Sequence, residues 1–386
     1  MKTLQRHLLS SAVAGALTLT GTAALAAQDD IATLRADIET LKQQVKSAAE
    51  WKRPNSLIHM AGYADVDYVD PDNGPGSFAS GSISPIFHYQ YRDLVMVESE
   101  FEITTNELGE NEFELEYLTV DLFLSDSAVL VAGKFLSPLG QFRQNLHPSW
   151  INRAPSAPAG FGHDEAAPNA EVGLQVRGGF PVGSDGIKAN YAVYIGNGPV
   201  VEAAGGALEK VETPGIGADD DGNKVSGGRF GLLFPVQKLD IGLSYATGQT
   251  AVRDLGPPVT YEAGRDYEYT GFDFTWRPAP FDLRGEYAKQ EVGGLPGSAY
   301  AVNGAVWEAW YVQGAYRFGD GKWEVVLRLS EYDAPDDATD NEQTLVGLNY
   351  LFASNLIGKI AIERNDNPNA GLQNDDRTLV QLAYGF

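Results

Sequence analysis

Residues 141–169 read QFRQNLHPSWINRAPSAPAGFGHDEAAPN and gather Arg143, His147, Arg153, His163, Asp164 and Glu165 in one segment without periodicity. Two guanidiniums, two imidazoles and two carboxylates allow three kinds of chemistry. Metal ligation needs donors at helical or hairpin spacing; His147, His163 and Asp164 lack it, so no metal is expected. Nucleophilic or acid–base catalysis needs a partnered histidine. No G-x-S-x-G occurs, and His88, on the polar row of its segment, has no Ser or Asp marking a triad. The chain therefore reads as a non-enzyme without a cofactor. The third chemistry is selection of solutes by charge on a narrow, water-filled lining, and a long loop among strands suits it. The competing expectation is that these charges hold the loop's own shape, with Arg143 or Arg153 pairing to Glu171. The acidic run at 217–223 lacks a full calcium-loop pattern and reads as a solvated surface loop.

Such a loop must be carried by something, and beyond Pro54 the sequence alternates with a period of two between turns. Strands are predicted near 57–69, 83–92, 94–105, 112–125, 128–139, 170–181, 187–196, 225–236, 239–249, 267–278, 281–291, 305–318, 322–333, 343–353, 356–364 and 377–386. That makes sixteen. Every second connection is tight, as at Arg92-Asp93, Gln237-Lys238 and Ser354-Asn355. Those between are longer, as at 70–82, 140–169, 197–224, 250–266, 292–304 and 365–376. Short turns at one end, long loops at the other and an even count predict a 16-stranded antiparallel transmembrane β-barrel at 54–386.

The strand faces agree with that reading. Trp323, Val325, Leu327 and Leu329 form one row of their segment, against Glu324, Val326, Arg328 and Ser330. Glu98, Glu100 and Glu102 oppose Val95, Val97, Phe101 and Ile103. In a membrane barrel the apolar row faces lipid and the polar row lines water. The expected lining is thus Glu98, Glu100, Glu102, Lys134, Arg177, Lys188, Arg229, Arg284 and Arg328, with Asp273 and Glu286 beside them. A slip of one residue would swap the faces of a strand. Aromatic residues such as Tyr89, Trp276, Phe281, Tyr316, Trp323 and Phe352 fall at strand ends, the pattern of a girdle at the headgroups. The last strand places Phe386, Tyr384 and Leu382 on one row, and the barrel requires it to pair with the first strand so that no edge remains.

The N-terminal region differs. Residues 1–26 carry Lys2 and Arg6, an apolar run and Ala24-Leu25-Ala26, the pattern of a signal peptide. Within 27–53, Ile31, Leu34, Ile38, Leu41, Val45 and Ala48 occupy heptad a and d positions, predicting a short periplasmic α-helical coiled coil. A formal charge of −24 in the whole chain argues against a nucleic-acid partner, and the absence of cysteine excludes disulfides.

The stretch 130–180 resembles the middle of the phosphate-selective (O/P-type) porin family. Gly133-Lys134-Phe135, Pro138-Leu139-Gly140 and Val172-Gly173-Leu174-Gln175 stand where that family ends one strand, enters a long loop and begins the next. The resemblance implies a loop folded into the lumen as a constriction, a homotrimer, and passive diffusion of small hydrophilic solutes, including anions such as phosphate. It also implies recognition of Phe386, Tyr384 and Leu382 by the barrel assembly machinery, and a cell outer membrane setting with lipid and lipopolysaccharide as neighbours. This chain departs from the family by mixing acidic and basic residues along the lining instead of a basic ladder. Its heptads also favour two strands over three. Two other readings stay open: a structural tether with a plugged barrel, and a facilitator for an organic solute.

Overall fold

The computed structural model describes residues 56–386 apart from 79–80, 106–108, 164, 184–185, 205–206, 214–215, 217–218, 220–221, 257, 336–338 and 367–375. The expected leader, the helical coil and Asp164 lie outside the described residues.

The alternating segments form strands β1 (Ser56–Pro71), β2 (Ile83–Tyr91), β3 (Val95–Thr105), β4 (Asn111–Ser125), β5 (Ala128–Leu136), β6 (Ala170–Val182) and β7 (Ile187–Gly196). After a small hairpin, β8 (Val200–Ala204) and β9 (Ala207–Glu212), come β10 (Val225–Phe234), β11 (Leu239–Asp254), β12 (Thr260–Trp276) and β13 (Phe281–Val292). The series ends with β14 (Ala305–Phe318), β15 (Trp323–Asp333), β16 (Asn341–Ala353), β17 (Leu356–Asp366) and β18 (Arg377–Gly385). Strand β7 pairs directly with β10, and β18 pairs antiparallel with β1, so sixteen strands close on themselves with β8 and β9 outside the ring. Closure leaves no unpaired edge, which is what a sheet in hydrocarbon requires.

The pleat sorts the side chains as the alternation predicts. On β15, Trp323, Val325, Leu327 and Leu329 point out and are exposed, while Glu324, Val326, Arg328 and Ser330 are buried inside. On β18, Val380, Leu382, Tyr384 and the following Phe386 are exposed, and Leu379, Gln381 and Ala383 are buried. At the turn end, aromatic rings contact one another around the rim: Phe281 with Tyr316 at 5.1 Å, and Trp323 with Tyr350 at 4.8 Å.

Two expectations for the loops are corrected. Residues 197–224 contain the β8–β9 hairpin rather than loop alone, and β8 runs parallel beside the far end of β11. Residues 250–266 are mostly strand, because β11 and β12 continue pairing out to Asp254 and Thr260. Their pairing carries a register shift between Thr250 and Val252, where the hairpin docks.

Candidate functional site

The segment between β5 and β6 lies inside the barrel. Its entry is Gly140, whose φ of +82° favours glycine and where an added Cβ would meet the Glu286 carboxylate at 1.7 Å. That carboxylate accepts hydrogen bonds from the backbone N–H groups of Gln141 (3.0 Å) and Phe142 (2.8 Å), opening a single π-helical turn, Phe142–Leu146. Beyond it the loop has little secondary structure, and the barrel wall supplies the missing donors. Lys359 donates to the carbonyls of Ser149 and Ala154, Asn349 to that of Arg153, and Gln381 to that of Pro155. Arg328, fully buried, donates to the Ser156 and Ala157 carbonyls at 2.7 and 2.9 Å, and Gln290 to that of Glu165 at 2.8 Å. An orphaned buried carbonyl costs about 1–3 kcal/mol, so these contacts fix the loop's path. An apolar patch adds to them: Phe142 and Phe161 pack edge-on to Tyr311 at 6.0 and 5.0 Å, within a cluster that includes Leu139, Trp307 and Tyr269.

The loop bonds mainly to the β13–β18 side, and polar cavities flank it: one of ≈ 400 Å³ at Asn341, Gln343, Asn365 and Arg377, the others toward β1–β7 and β10–β11. Toward the loop end a cavity of ≈ 630 Å³ is lined by Glu102, Glu114, Glu116, Lys134, His163 and Glu212, among others. A smaller one of ≈ 250 Å³ shares Glu102, Glu116 and His163 and adds Arg143 and His147. Toward the turn end, a cavity of ≈ 190 Å³ at Glu98 and Arg177 meets another of ≈ 710 Å³ that Arg177, Arg229, Asp240 and Arg277 line.

At the loop-end cavities, strand carboxylates face loop cations. Arg143 stands 3.6 Å from Glu116, and its other neighbour is His163 Nε2 at 3.4 Å. His163 lies 3.8 Å from Glu116 and 4.0 Å from Glu102. Tyr63 Oη donates to Glu100 at 2.8 Å and stands 3.3 Å from His147 Nε2. The His147 ring keeps some contact with the lumen, yet protein surrounds it densely. Burial first, then the Arg143 guanidinium, lower its pKa to about 3, so at neutral pH it is an uncharged imidazole.

The sequence brought forward Glu100, Glu102, Arg143, His147 and His163, and they meet here. It missed Tyr63 and Glu116. Glu116 faces inward because β3–β4 pairing skips it, passing from Glu100–Tyr117 to Phe101–Leu115; this bulge turns two successive side chains to one face. Lys134 donates to the Leu115 carbonyl at 2.8 Å, at this same irregularity. Glu102, Glu116 and His163 bring one ligand atom each within 4.8 Å of one another, a grouping the loop's own spacing could not reveal. Arg143 already places positive charge beside it.

The remaining lining residues are mostly paired. Arg229 chelates Asp273 at 2.7 and 2.6 Å, and Arg284 chelates Asp282 at 2.8 and 2.9 Å. Arg177 reaches Asp121 at 2.7 Å and Glu98 at 3.3 Å. Arg284 and Arg328 face inward but are buried, donating to loop carbonyls. Arg153 lies against Glu324 at 3.6 Å, and Glu165 accepts from the Gly162 N–H at 2.6 Å. Lys188 is exposed near the turn after β6.

No family model matches the chain, and no curated protein matches it. Solved structures do. The outer membrane channel DcaP of Acinetobacter baumannii is 10% identical over 87% of this chain and 99% of its own, with a TM-score of 0.56. An anion-selective porin from Comamonas acidovorans is 16% identical over 86% and 100%, with a TM-score of 0.54. The outer membrane protein OmpT of Vibrio cholerae, in a trimer form, is 11% identical over 86% and 100%, with a TM-score of 0.52. At such identities the likeness is one of fold. A closed ring of strands, apolar outside and charged within, is an outer-membrane β-barrel.

Proposed function

We propose that this chain is an outer-membrane porin through which small hydrophilic solutes diffuse passively. The observation that carries this reading is the loop 141–169 bonded across the lumen to the far wall, beside a charged passage. A plug would be expected to fill the section; here separate cavities stay open at Glu102 and Glu116, at Glu98 and Arg177, and at Arg229. The sequence resemblance to phosphate-selective porins supports a homotrimer, an exported chain with a leader at 1–26, and a short coil at 27–53. The likeness to an anion-selective porin and the arginines at the turn end support a preference for anions such as phosphate, with Arg143 of the loop facing Glu116 at 3.6 Å.

A second reading rests on one observation. The loop-end cavity carries Glu102, Glu112, Glu114, Glu116 and Glu212 against Lys134 and His163. Such a vestibule concentrates cations and would give the opposite preference. Reversal potential in a KCl gradient across a planar bilayer separates the two. Steps in threes with a chloride-directed potential support the anion porin; a potassium-directed potential assigns selectivity to the outer carboxylates. A folded barrel that never conducts would overturn the channel in favour of a tether.

A further inference from the structure

The channel reading leaves a pair of histidines unused at the turn end, away from the loop. His59 on β1 and His88 on the adjacent β2 approach with their Nδ1 atoms 3.2 Å apart, while their ring centroids stand 5.4 Å apart. The rings lie nearly end to end, with 23° between their planes, so the two Nδ1 atoms face each other and a small rotation of each ring would turn both toward one ion. We propose that His59 and His88 form a binding site for a borderline divalent transition-metal ion, of which Zn2+ is the type.

Three features carry this. Two imidazole nitrogens on one tetrahedral zinc stand roughly 3.3 Å apart, given bonds of about 2.0–2.1 Å, and the observed spacing is close to that. Glu98 Oε1 lies 3.2 Å from His88 Nε2, across the β2–β3 pair. A carboxylate there favours the proton on that nitrogen, which puts the lone pair on Nδ1, the atom facing His59, as carboxylates orient metal-binding histidines. The third feature is charge. Glu98 and Asp121 together contact one guanidinium, that of Arg177, so this neighbourhood carries one more negative charge than positive. His59 is exposed, which gives an ion access and lets water complete its coordination. Imidazole donors suit zinc, copper and nickel, whereas magnesium and calcium prefer oxygen. The alternative is a plain hydrogen bond between two neutral rings.

Equilibrium dialysis of the tag-free, folded chain in detergent against ZnCl2 tests the site. The expected result is about one zinc per chain, lost in His59→Asn and in His88→Asn, not displaced by excess Mg2+, and weakened by about 10–100-fold in Glu98→Gln. Heat-modifiable migration identifies each variant as folded, and His59→Gln and His88→Gln serve the same comparison where asparagine disturbs folding. Zinc uptake that survives loss of either histidine overturns the proposal. So does uptake lost in His163→Asn instead, which would place the ion at Glu102 and Glu116.

Discussion

Glu286 shows how one buried side chain directs a loop that has almost no structure of its own. Its carboxylate takes the first two free N–H groups of the loop and sits where a Cβ at Gly140 would be. Leaving a buried N–H group without its acceptor costs about 1–3 kcal/mol, so Glu286→Ala should release the loop's entry while the barrel stays closed. The expected outcome is a larger and noisier single-channel conductance, and unchanged conductance would mean the apolar patch around Tyr311 holds the loop unaided. His147 makes a prediction with pH. An unfolded histidine takes up its proton near pH 6.5, whereas in the fold His147 does so only near 3. Between those values the unfolded chain binds more protons, so this residue's stabilisation is complete above pH 6.5 and declines as pH falls toward 3. The groups around it are Tyr63 from β1, Glu100 from β3, Glu116 from β4, and Arg143 and His163 from the loop. His147→Asn should flatten the fall of the melting midpoint between pH 6 and 4; an unaltered slope would assign that fall to the carboxylates. Glu116 was not legible as a site residue, because a bulge breaks the parity by which inward faces are read from sequence, and Tyr63 joins the site only through contacts with Glu100 and His147, which are distant in the chain.

Among the elements, the β8–β9 hairpin is where the architecture departs most from alternation. Val201, Ala203, Leu208 and Val211 are buried in the same apolar cluster as the loop's Phe142 and Phe161. Arg253 of β11 clamps the hairpin by bonding both Glu202 and Glu212. The hairpin therefore covers part of the loop end, and Glu212 lines the cavity there. Replacing residues 200–212 by a short Gly-Ser linker should raise single-channel conductance and leave heat-modifiability intact. If the barrel no longer folds, the hairpin is part of the core and not a cover. The ring strands were legible because half their residues meet lipid and half meet the lumen, which writes a period of two along each. Residues 197–224 have no such two-sided setting, and 250–266 contain Gly256, Pro257 and Pro258 near the bend, which read as loop. The loop's anchoring to Arg328, Lys359 and Gln381 was not legible either. It joins side chains to backbone across most of the chain, and no local spacing encodes that.

For the whole molecule, the strongest constraint is the inversion of polarity around a closed ring. Nine residue pairs from Tyr63–Gly385 to Pro71–Arg377 join the first and last strands, and Phe386 and Gly62 exchange backbone hydrogen bonds at 2.9 and 3.0 Å. Closure removes the sheet edges, but it does not by itself say which face meets lipid. Side-chain exposure does: Leu327 and Val346, opposite each other on β15 and β16, are 48% and 52% exposed, while Arg328 and Leu345 beside them are 0% exposed. An arginine on the lipid face near the bilayer midplane costs about 2–4 kcal/mol and much less near the interfaces. Leu327→Arg and Val346→Arg should each lower the free energy of unfolding by about that amount in lipid vesicles. The same substitution at Val236, exposed in the turn between β10 and β11, should change it little. The contrast between belt and turn is the informative quantity, because in a soluble barrel both sites would face water. Equal costs at the two places would mean that the apolar rows do not face lipid, and the assignment of the charged interior to a water-filled passage would fall with them.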